Sequence, residues 1–224
     1  MPSAVTNVED LRRMAERRVP RMFYDYADSG SWTEGTYRSN TDDFASIKLR
    51  QRVAVDMTNR TLASTMAGQQ VAMPVALAPT GLTGMQHADG EILAARTAKK
   101  AGVPFTLSTM SICSIEDVAA DIQSPFWFQL YVMRDRVFAN KLIDRAKAAG
   151  CSALVLTLDL QILGQRHKDI KERAQHSAQA DAGEPGQPRD QATLVLGDAA
   201  HEAPAFRQHP WARGYGIHTI HLRP

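Results

Sequence analysis

The chain between Pro74 and Asp159 alternates short apolar runs with stretches of helical periodicity. The runs, each ending in polar residues, are VALAPT (75–80), FTLST (105–109), FWFQLY (126–131) and ALVLTLD (153–159). They predict strands at 75–79, 105–109, 126–131 and 153–159, and the stretches between them predict helices at 88–101, 114–121 and 134–149. Near-continuous apolar runs are typical of parallel strands that are covered on both faces. The alternation therefore predicts an α/β fold with a parallel sheet and right-handed crossovers.

Four such strand–helix units amount to half of an eightfold (β/α)8 barrel, or TIM barrel. A complete barrel needs roughly 250 residues, whereas the fourth predicted strand ends near residue 159 of 224. We therefore expect the N-terminal half of a TIM barrel, preceded by short helices and followed by an irregular tail. In this architecture the C-terminal strand ends meet at one mouth, which holds the active site.

Short helices are predicted ahead of the barrel. Thr6 and Glu9 have the spacing of a capping box, which would open a helix that reaches about Arg18. Pro20 suits the first turn of a second helix, because its missing N–H is not needed there. A third short helix is expected at 41–44.

Residues suited to helix ends stand where the predicted barrel helices begin and stop. Gly102 and Gly150 follow predicted helices, at positions where a left-handed residue commonly ends a helix. Ser114, with Asp117 three residues later, suits a helix start.

The composition changes abruptly after Lys171. Residues 172–193 contain no Val, Ile, Leu, Met, Phe, Tyr or Trp, so this stretch cannot bury enough apolar surface to offset its chain entropy. We accordingly divide the chain into a helical lead-in (1–73), a half barrel (74–171) and an irregular tail (172–224).

Composition and charge exclude several classes of protein. Hydrophobic residues make up 44% of the 224 residues, and the formal net charge of +2 is too small to suggest nucleic-acid binding. Cys113 and Cys151 are far apart and indicate neither a disulfide framework nor a metal site. The N-terminus does not have the pattern of a signal peptide, and no run is long enough for a membrane-spanning helix. We read His218 and His221, three residues apart in the tail, as a chance pair and expect no metal site.

Polar side chains follow each predicted strand. They are Thr80, Ser108, Gln129 with Tyr131, and Thr157 with Asp159, and Arg166 comes shortly afterwards. Residues two apart in a strand point to the same side, so each of the two pairs shares a face. Neutral hydrogen-bonding groups suit a flat cofactor with polar edges better than a metal, and an arginine can bind a carboxylate with its planar fork.

Five segments resemble the FMN-dependent L-2-hydroxy acid dehydrogenases and oxidases. They are RMFYDYADSG, ALAPTGLTGM, TLSTMS, FWFQLYVMRDR and LTLDLQILGQRHKDIK, in the order and spacing of that family. The last segment is most similar to the bacterial L-lactate dehydrogenase branch. The resemblance covers about residues 5–171.

The resemblance implies a role for each matching residue. Tyr26 and Arg166 would bind the substrate carboxylate, and Tyr131 would lie beside the substrate hydroxyl. Asp159 would orient the catalytic histidine and stabilise its charged form. The flavin contacts would come from the backbone of Pro79, Thr80 and Gly81 and from the side chains of Ser108, Gln129 and Thr157.

The implied activity is FMN-dependent oxidation of a small L-2-hydroxy acid, with L-lactate giving pyruvate as the expected case and a quinone or another compound as the electron acceptor. The implied location is cytoplasmic, with peripheral contact to the inner face of the bacterial plasma membrane left open, as is homo-oligomerisation. Two other interpretations stay open at this point. The chain could be a phosphate-ligand barrel enzyme without flavin, or a decayed fragment or interaction module without activity.

Elements of the family's second half are missing from the sequence. Its lysine near flavin N1, its base in a His-Gly-Gly-Arg motif and its phosphate-binding loops have no counterparts here. A one-base shift after Lys171 can give, with permissible codons, KNGLSIPPKP, which resembles the family's continuation. We therefore expect a frameshifted tail and a truncated chain that does not turn over lactate.

Overall fold

A computed structural model of the chain describes residues 4–158, 164–171 and 217–221. It forms two compact units. The first contains the described residues of 1–56 and 164–191, and the second contains those of 57–163 and 192–224. None of the helices in these described stretches combines the length and the apolar composition that crossing a bilayer requires.

The first unit is helical. Helices α1 (Val8–Arg18), α2 (Arg21–Ala27) and α3 (Gly35–Asp42) are followed by a 3₁₀ turn at Asp43–Ser46, and residues 167–171 are also helical.

The start of α1 corrects the expected capping box by one residue. Asn7, not Thr6, is the N-cap: its side chain accepts from the Asp10 amide at 2.9 Å. Asp10 returns the bond by accepting from the Asn7 amide and from the Thr6 hydroxyl. Asn is as strong an N-cap as Thr or stronger, and an acid three residues later completes either box. Pro20 is likewise the N-cap of α2 rather than its first helical residue.

Asp28 connects the three helices of the first unit. Its carboxylate accepts from the Tyr24 hydroxyl at 2.5 Å, from the Tyr37 hydroxyl and from Arg12 Nη1 at 2.9 Å. Partial burial alone would raise the pKa of Asp28, but the bonds from Tyr24, Tyr37 and Arg12 together hold this pKa below its ordinary value. The same burial, with the hydrogen bond to Asp28, raises the pKa of Tyr24 to about 12.

We expect Asp28→Asn to destabilise the first unit at neutral pH by about 1–3 kcal/mol, because the three donors lose a charged acceptor. A carboxylate with a lowered folded pKa stabilises the protein above its unfolded pKa, and that stability is lost as pH falls through the folded pKa. Thermal unfolding of the two proteins should therefore converge as the pH is lowered from 7 towards 3. Asp42→Asn, on the exposed end of α3, is the control and should stay within about 0.5 kcal/mol. A constant gap between wild type and Asp28→Asn at every pH would contradict the proposed charge effect.

The second unit alternates strands and helices. A hairpin of β1 (Ser64–Met66) and β2 (Gln69–Val71) precedes α4 (Thr83–Gln86) and α5 (Gly90–Ala101). Then come β3 (Thr106–Ser108), α6 (Ile115–Ile122), β4 (Trp127–Tyr131), α7 (Arg136–Ala148) and β5 (Ala153–Thr157). Strand β6 (Ile217–His221) completes the described elements.

The expected parallel sheet is present, in the order β3-β4-β5-β6. Strands β3, β4 and β5 are parallel, with Ser108 opposite Gln129 and Tyr131 opposite Thr157. The caps expected at the barrel helices are also confirmed. Ser114 forms a capping box with Asp117, and Gly102 and Gly150 are left-handed, with φ of 68° and 76°.

Two expectations about the sheet need correction. The strand predicted at 75–79 is reduced to a single parallel bridge between Leu77 and Phe105. Leu77 bonds to Pro104 and Thr106 on its two sides, but Pro74 and Pro79 lack the N–H that would extend the ladder. The tail, expected to be irregular, contributes β6, which pairs antiparallel with β5. The tail run at 194–196 lies outside the described residues.

The sheet has two differently covered faces. Phe105, Leu107, Phe128, Leu130 and Leu154 belong to the main core, together with buried residues of α5, α6 and α7. The alternate positions Trp127, Ala153 and Val155 form a second cluster with Met66 and Ala67 of the hairpin and Ala76. On the face that carries the polar strand ends, the hairpin therefore covers the N-terminal part of the strands.

Candidate functional site

A hydrogen-bonded series of buried and half-buried polar side chains, which we call the polar chain, crosses the C-terminal ends of three strands. Gln129 on β4 is its centre and is 1% exposed. Its Oε1 accepts from the Ser108 hydroxyl at 3.1 Å, and its Nε2 donates to Thr157 Oγ1 at 2.8 Å. The structure thus brings together three of the residues that the sequence singled out, one from each of the strands β3, β4 and β5. Tyr131, two residues beyond Gln129, lies on the same face and is half-buried.

Thr109 supports the polar chain and was not identified from the sequence. Its hydroxyl donates to the Gln129 carbonyl at 2.6 Å and accepts from the Tyr131 amide at 3.1 Å, while its own amide donates to Gln129 Oε1. It therefore continues the β3–β4 pairing beyond the end of β3. The signal in the sequence was the last of the three hydroxyl residues in FTLST.

The segment Pro79–Gly81 lies beside Ser108. The Leu82 amide donates to the Met110 carbonyl at 2.8 Å and ties this segment to the loop that follows β3. A Cβ added at Gly81 would lie 3.1 Å from Met110 Cβ and 3.8 Å from Ser108 Oγ, so glycine permits this close approach. Thr80 is exposed, and its carbonyl accepts from the Thr83 hydroxyl.

Glu91 is a second residue that the sequence did not reveal. It is 2% exposed near the start of α5, and its carboxylate bonds to amides of two loops. The only signal was one acid beside the apolar and small residues of GEILAA.

Tyr26 and Arg166, predicted to bind the substrate carboxylate, lie together in the first unit. The Arg166 guanidinium carbon is 4.9 Å from the centre of the Tyr26 ring, which is a cation–π distance. Arg166 Nη2 donates to the Tyr26 carbonyl and, at 2.8 Å, to Ser29 Oγ. Its Nε lies 3.1 Å from Asp169 Oδ2 without the alignment of a hydrogen bond. The positive charge of Arg166 also lies near the carbonyls at the C-terminal end of α2, whose partial negative charge favours a cation.

Neither of the two histidines with described side chains hydrogen-bonds to Ser108, Gln129 or Thr157. Asp159, predicted to orient a catalytic histidine, lies outside the described residues. Two histidines have described side chains: His87, which is exposed and whose Nδ1 is 2.7 Å from the Ala88 carbonyl, and His167, whose ring meets Trp32 edge-on at 5.7 Å.

The geometry of the second unit suits the ring of a flat heterocycle. Ser108, Gln129 and Thr157 offer neutral donors and acceptors, and the backbone of Gly81 can approach closely because no Cβ is present. On the same face of the sheet, Trp127 and Val155 belong to an apolar cluster with the hairpin residues Met66 and Ala67. This combination of an apolar wall with a few aimed polar groups is typical of cofactor sites.

Comparison with known proteins assigns a family to these features. The family model of the FMN-dependent dehydrogenases matches residues 15–214. The L-lactate dehydrogenase of Chromohalobacter salexigens is 51% identical over 160 residues, which are 71% of this chain and 41% of that protein. The L-lactate dehydrogenase of Vibrio parahaemolyticus is 48% identical over 161 residues, 72% of this chain and 42% of that protein. The chain thus spans about two fifths of the length of these curated relatives.

A solved structure supports the same assignment at the level of the fold. A soluble mutant of the membrane-associated (S)-mandelate dehydrogenase from Pseudomonas putida superposes with a TM-score of 0.76 at 31% sequence identity. The superposition covers 92% of this chain and 59% of that one.

Proposed function

The chain belongs to the family of FMN-dependent dehydrogenases, and on that premise we propose that it forms the flavin-ring part of an enzyme that oxidises an L-2-hydroxy acid. We further propose L-lactate as the substrate and pyruvate as the product, because the relatives that are about 50% identical are L-lactate dehydrogenases. A quinone or another acceptor would then remove the electrons. Family membership favours this interpretation over a barrel enzyme without flavin.

One observation carries the proposal: the hydrogen-bonded chain from Ser108 through Gln129 to Thr157. A buried amide between two hydroxyls presents both donors and acceptors while carrying no charge. The polar edge of a flavin ring has the same mixed character. A metal or a phosphate would instead favour charged ligands.

The proposed roles of the other residues follow from their chemistry. FMN, when bound, supplies the site that accepts the electron pair of the hydroxy acid. Tyr26 and Arg166 would hold the carboxylate of the substrate, since a phenol and a guanidinium are both donors to an anion. Tyr131 would donate to the substrate hydroxyl, and Asp159 would hold the histidine that takes its proton.

The activity of this chain by itself is a separate proposal. We propose that the 224 residues alone do not turn over lactate, because they contain no His-Gly-Gly-Arg segment to supply the base. We also propose a cytoplasmic location or a peripheral one at the membrane. An assay of L-lactate oxidation with an artificial electron acceptor tests whether the 224 residues alone turn over lactate. Turnover by the purified chain would contradict it.

Flavin binding is the direct test of the proposed ring site, which consists of Pro79–Gly81, Ser108, Gln129 and Thr157. We expect the purified chain to bind riboflavin and FMN with affinities within about threefold of each other, because the proposed contacts are to the ring and not to the phosphate. Quenching of flavin fluorescence during titration measures both affinities. A phosphate compound without a flavin ring, inorganic phosphate, should not compete.

Two outcomes would overturn the ring site. The first is a folded chain that binds neither flavin, which would favour the interaction module instead. The second is FMN binding that inorganic phosphate displaces and riboflavin does not match, which would indicate a phosphate site.

The origin of the tail is tested at the level of the gene. We propose a frame change after Lys171, and the nucleotide sequence around codon 171 decides it. An alternative frame that yields family-like residues supports the proposal, and alternative frames without them reject it.

A further inference from the structure

Glu91 is a buried carboxylate at a junction of two loops in the second unit. Its Oε1 accepts from the Gly84 amide at 3.1 Å and from the Ile112 amide at 3.0 Å. Gly84 belongs to α4, which follows the Pro79–Gly81 segment, and Ile112 belongs to the loop that follows β3. One oxygen of Glu91 thus joins the loops of two successive strand–helix units.

These two loops are in close contact where Glu91 joins them. A Cβ added at Gly84 would lie 2.6 Å from Ile112 Cβ, so the isoleucine fills the space over the glycine. Closer to the ring site, the Leu82 amide donates to the Met110 carbonyl, and Gly81 faces Met110. The junction is therefore continuous with the approach of Gly81 to Ser108.

The charge of Glu91 is held by its surroundings. Burial opposes ionisation, but bonds from backbone amides, including those of Ile112 and Gly84, keep the pKa of Glu91 below its ordinary value. Cys113 lies against the same carboxylate, and burial together with Glu91 raises the pKa of its thiol to about 11. Both amide bonds end on Oε1, while Oε2 is buried without a hydrogen-bond partner, so the position of Glu91 depends on the amides of Gly84 and Ile112.

We propose that Glu91 is a positioning residue that sets the spacing between Gly81 and Ser108 and thereby shapes the flavin-ring site. It acts through the amides of Gly84 and Ile112 and does not itself touch the flavin. The inference rests on the proposed function for its effect on flavin, while the joining of the two loops can be tested without any ligand.

Amide hydrogen exchange tests the junction in the free protein. We expect the amides of Gly84, Ile112 and Leu82 to exchange at least about tenfold faster in Glu91→Ala, since each depends on the junction. Glu91→Gln keeps a neutral acceptor of the same shape and should restore most of the protection. The amides of Phe128 and Leu130 within the sheet should not change. Unchanged exchange at Leu82 in Glu91→Ala overturns the proposal. If that variant does not fold, unchanged exchange at Leu82 in Glu91→Leu, which keeps the side-chain volume but offers no acceptor, does so.

Riboflavin titration tests the consequence for the ring site. Glu91→Ala should bind riboflavin at least about tenfold more weakly than wild type, and Glu91→Gln should recover most of this loss. Glu116→Ala is the matched control, because it removes an exposed carboxylate on α6 that pairs with Arg145. Its affinity should equal that of wild type.

The two proposals fail in different ways. Wild-type protein that binds no riboflavin contradicts the proposed function, and the exchange rates still decide whether Glu91 joins the loops. Wild-type protein that binds riboflavin, with Glu91→Ala binding it equally well, contradicts the positioning role alone. The reactivity of Cys113 gives a spectroscopic check, because loss of the carboxylate should lower the thiol pKa and speed its modification by a chromogenic disulfide at pH 8.

Discussion

Gln129→Leu is expected to weaken riboflavin binding by at least about tenfold while leaving the second unit folded. The leucine keeps the volume of the side chain but removes the acceptor for Ser108 and the donor to Thr157. The Thr109 amide also loses its bond to Oε1. Because these groups are buried or half-buried, unmet hydrogen bonds should cost about 1–3 kcal/mol of stability. The polar chain that carries the proposed function would no longer exist.

The matched control is Gln70→Leu. Gln70 on β2 also makes a cross-strand bond to a threonine, Thr65 Oγ1 at 2.9 Å, but it is exposed on the hairpin. Its loss should change neither the unfolding free energy by more than about 0.5 kcal/mol nor the riboflavin affinity. Urea unfolding and riboflavin titration measure both quantities. Equal riboflavin affinity in Gln129→Leu and wild type would remove the main support for the ring site.

The periodicity of the sequence was sufficient to predict which residues of β4 share a face with Gln129. In β4 the positions of Trp127, Gln129 and Tyr131 alternate with those of Phe128 and Leu130, and the latter two belong to the core beneath the helices. Because strand side chains alternate strictly, a polar residue at the end of an apolar run identifies the face that carries the chemistry. This rule acts within one strand. The structure supplies the relation between strands, with Ser108 opposite Gln129 and Gln129 bonded to Thr157.

Elements that depend on distant contacts could not be predicted in this way. The hairpin of β1 and β2 has only three residues in each strand, too few for a clear alternation. Strand β6 is separated by some 60 residues from its partner β5, and its pairing depends on the edge that β5 offers rather than on local preference. The prolines around 75–79 had the opposite effect, since they shortened a strand that the apolar pattern favoured.

The residues that support the site could also not be predicted from the hydrophobic pattern of the sequence. Glu91 is an acid on a helix, and such residues are usually exposed. Its burial follows from two loop amides that approach it from different parts of the chain, which no local spacing reveals. Tyr26 and Arg166, 140 positions apart, were linked only through the resemblance to a family, and the structure places them in contact.

Phe128→Ala is expected to produce the largest loss of stability in the second unit, about 3–5 kcal/mol. Phe128 is 1% exposed and belongs to the cluster that joins the sheet to α5, α6 and α7. Removing its ring leaves a cavity between rigid elements, which can collapse only in part. A loss of this size is a large fraction of the 5–15 kcal/mol that stabilises a typical domain.

The test separates the two faces of one strand. Urea unfolding should show a lower midpoint for Phe128→Ala with an unchanged slope, whereas Phe138→Ala, at a partly exposed position on α7 (43% exposed), should have a much smaller effect. Riboflavin affinity, measured where the variant is folded, should fall by less than about threefold, because the ring of Phe128 faces the helices. Adjacent residues of β4 would then differ in kind: Phe128 would determine stability and Gln129 would determine flavin binding. A folded Phe128→Ala protein that loses riboflavin as completely as Gln129→Leu would show that the two faces are not independent.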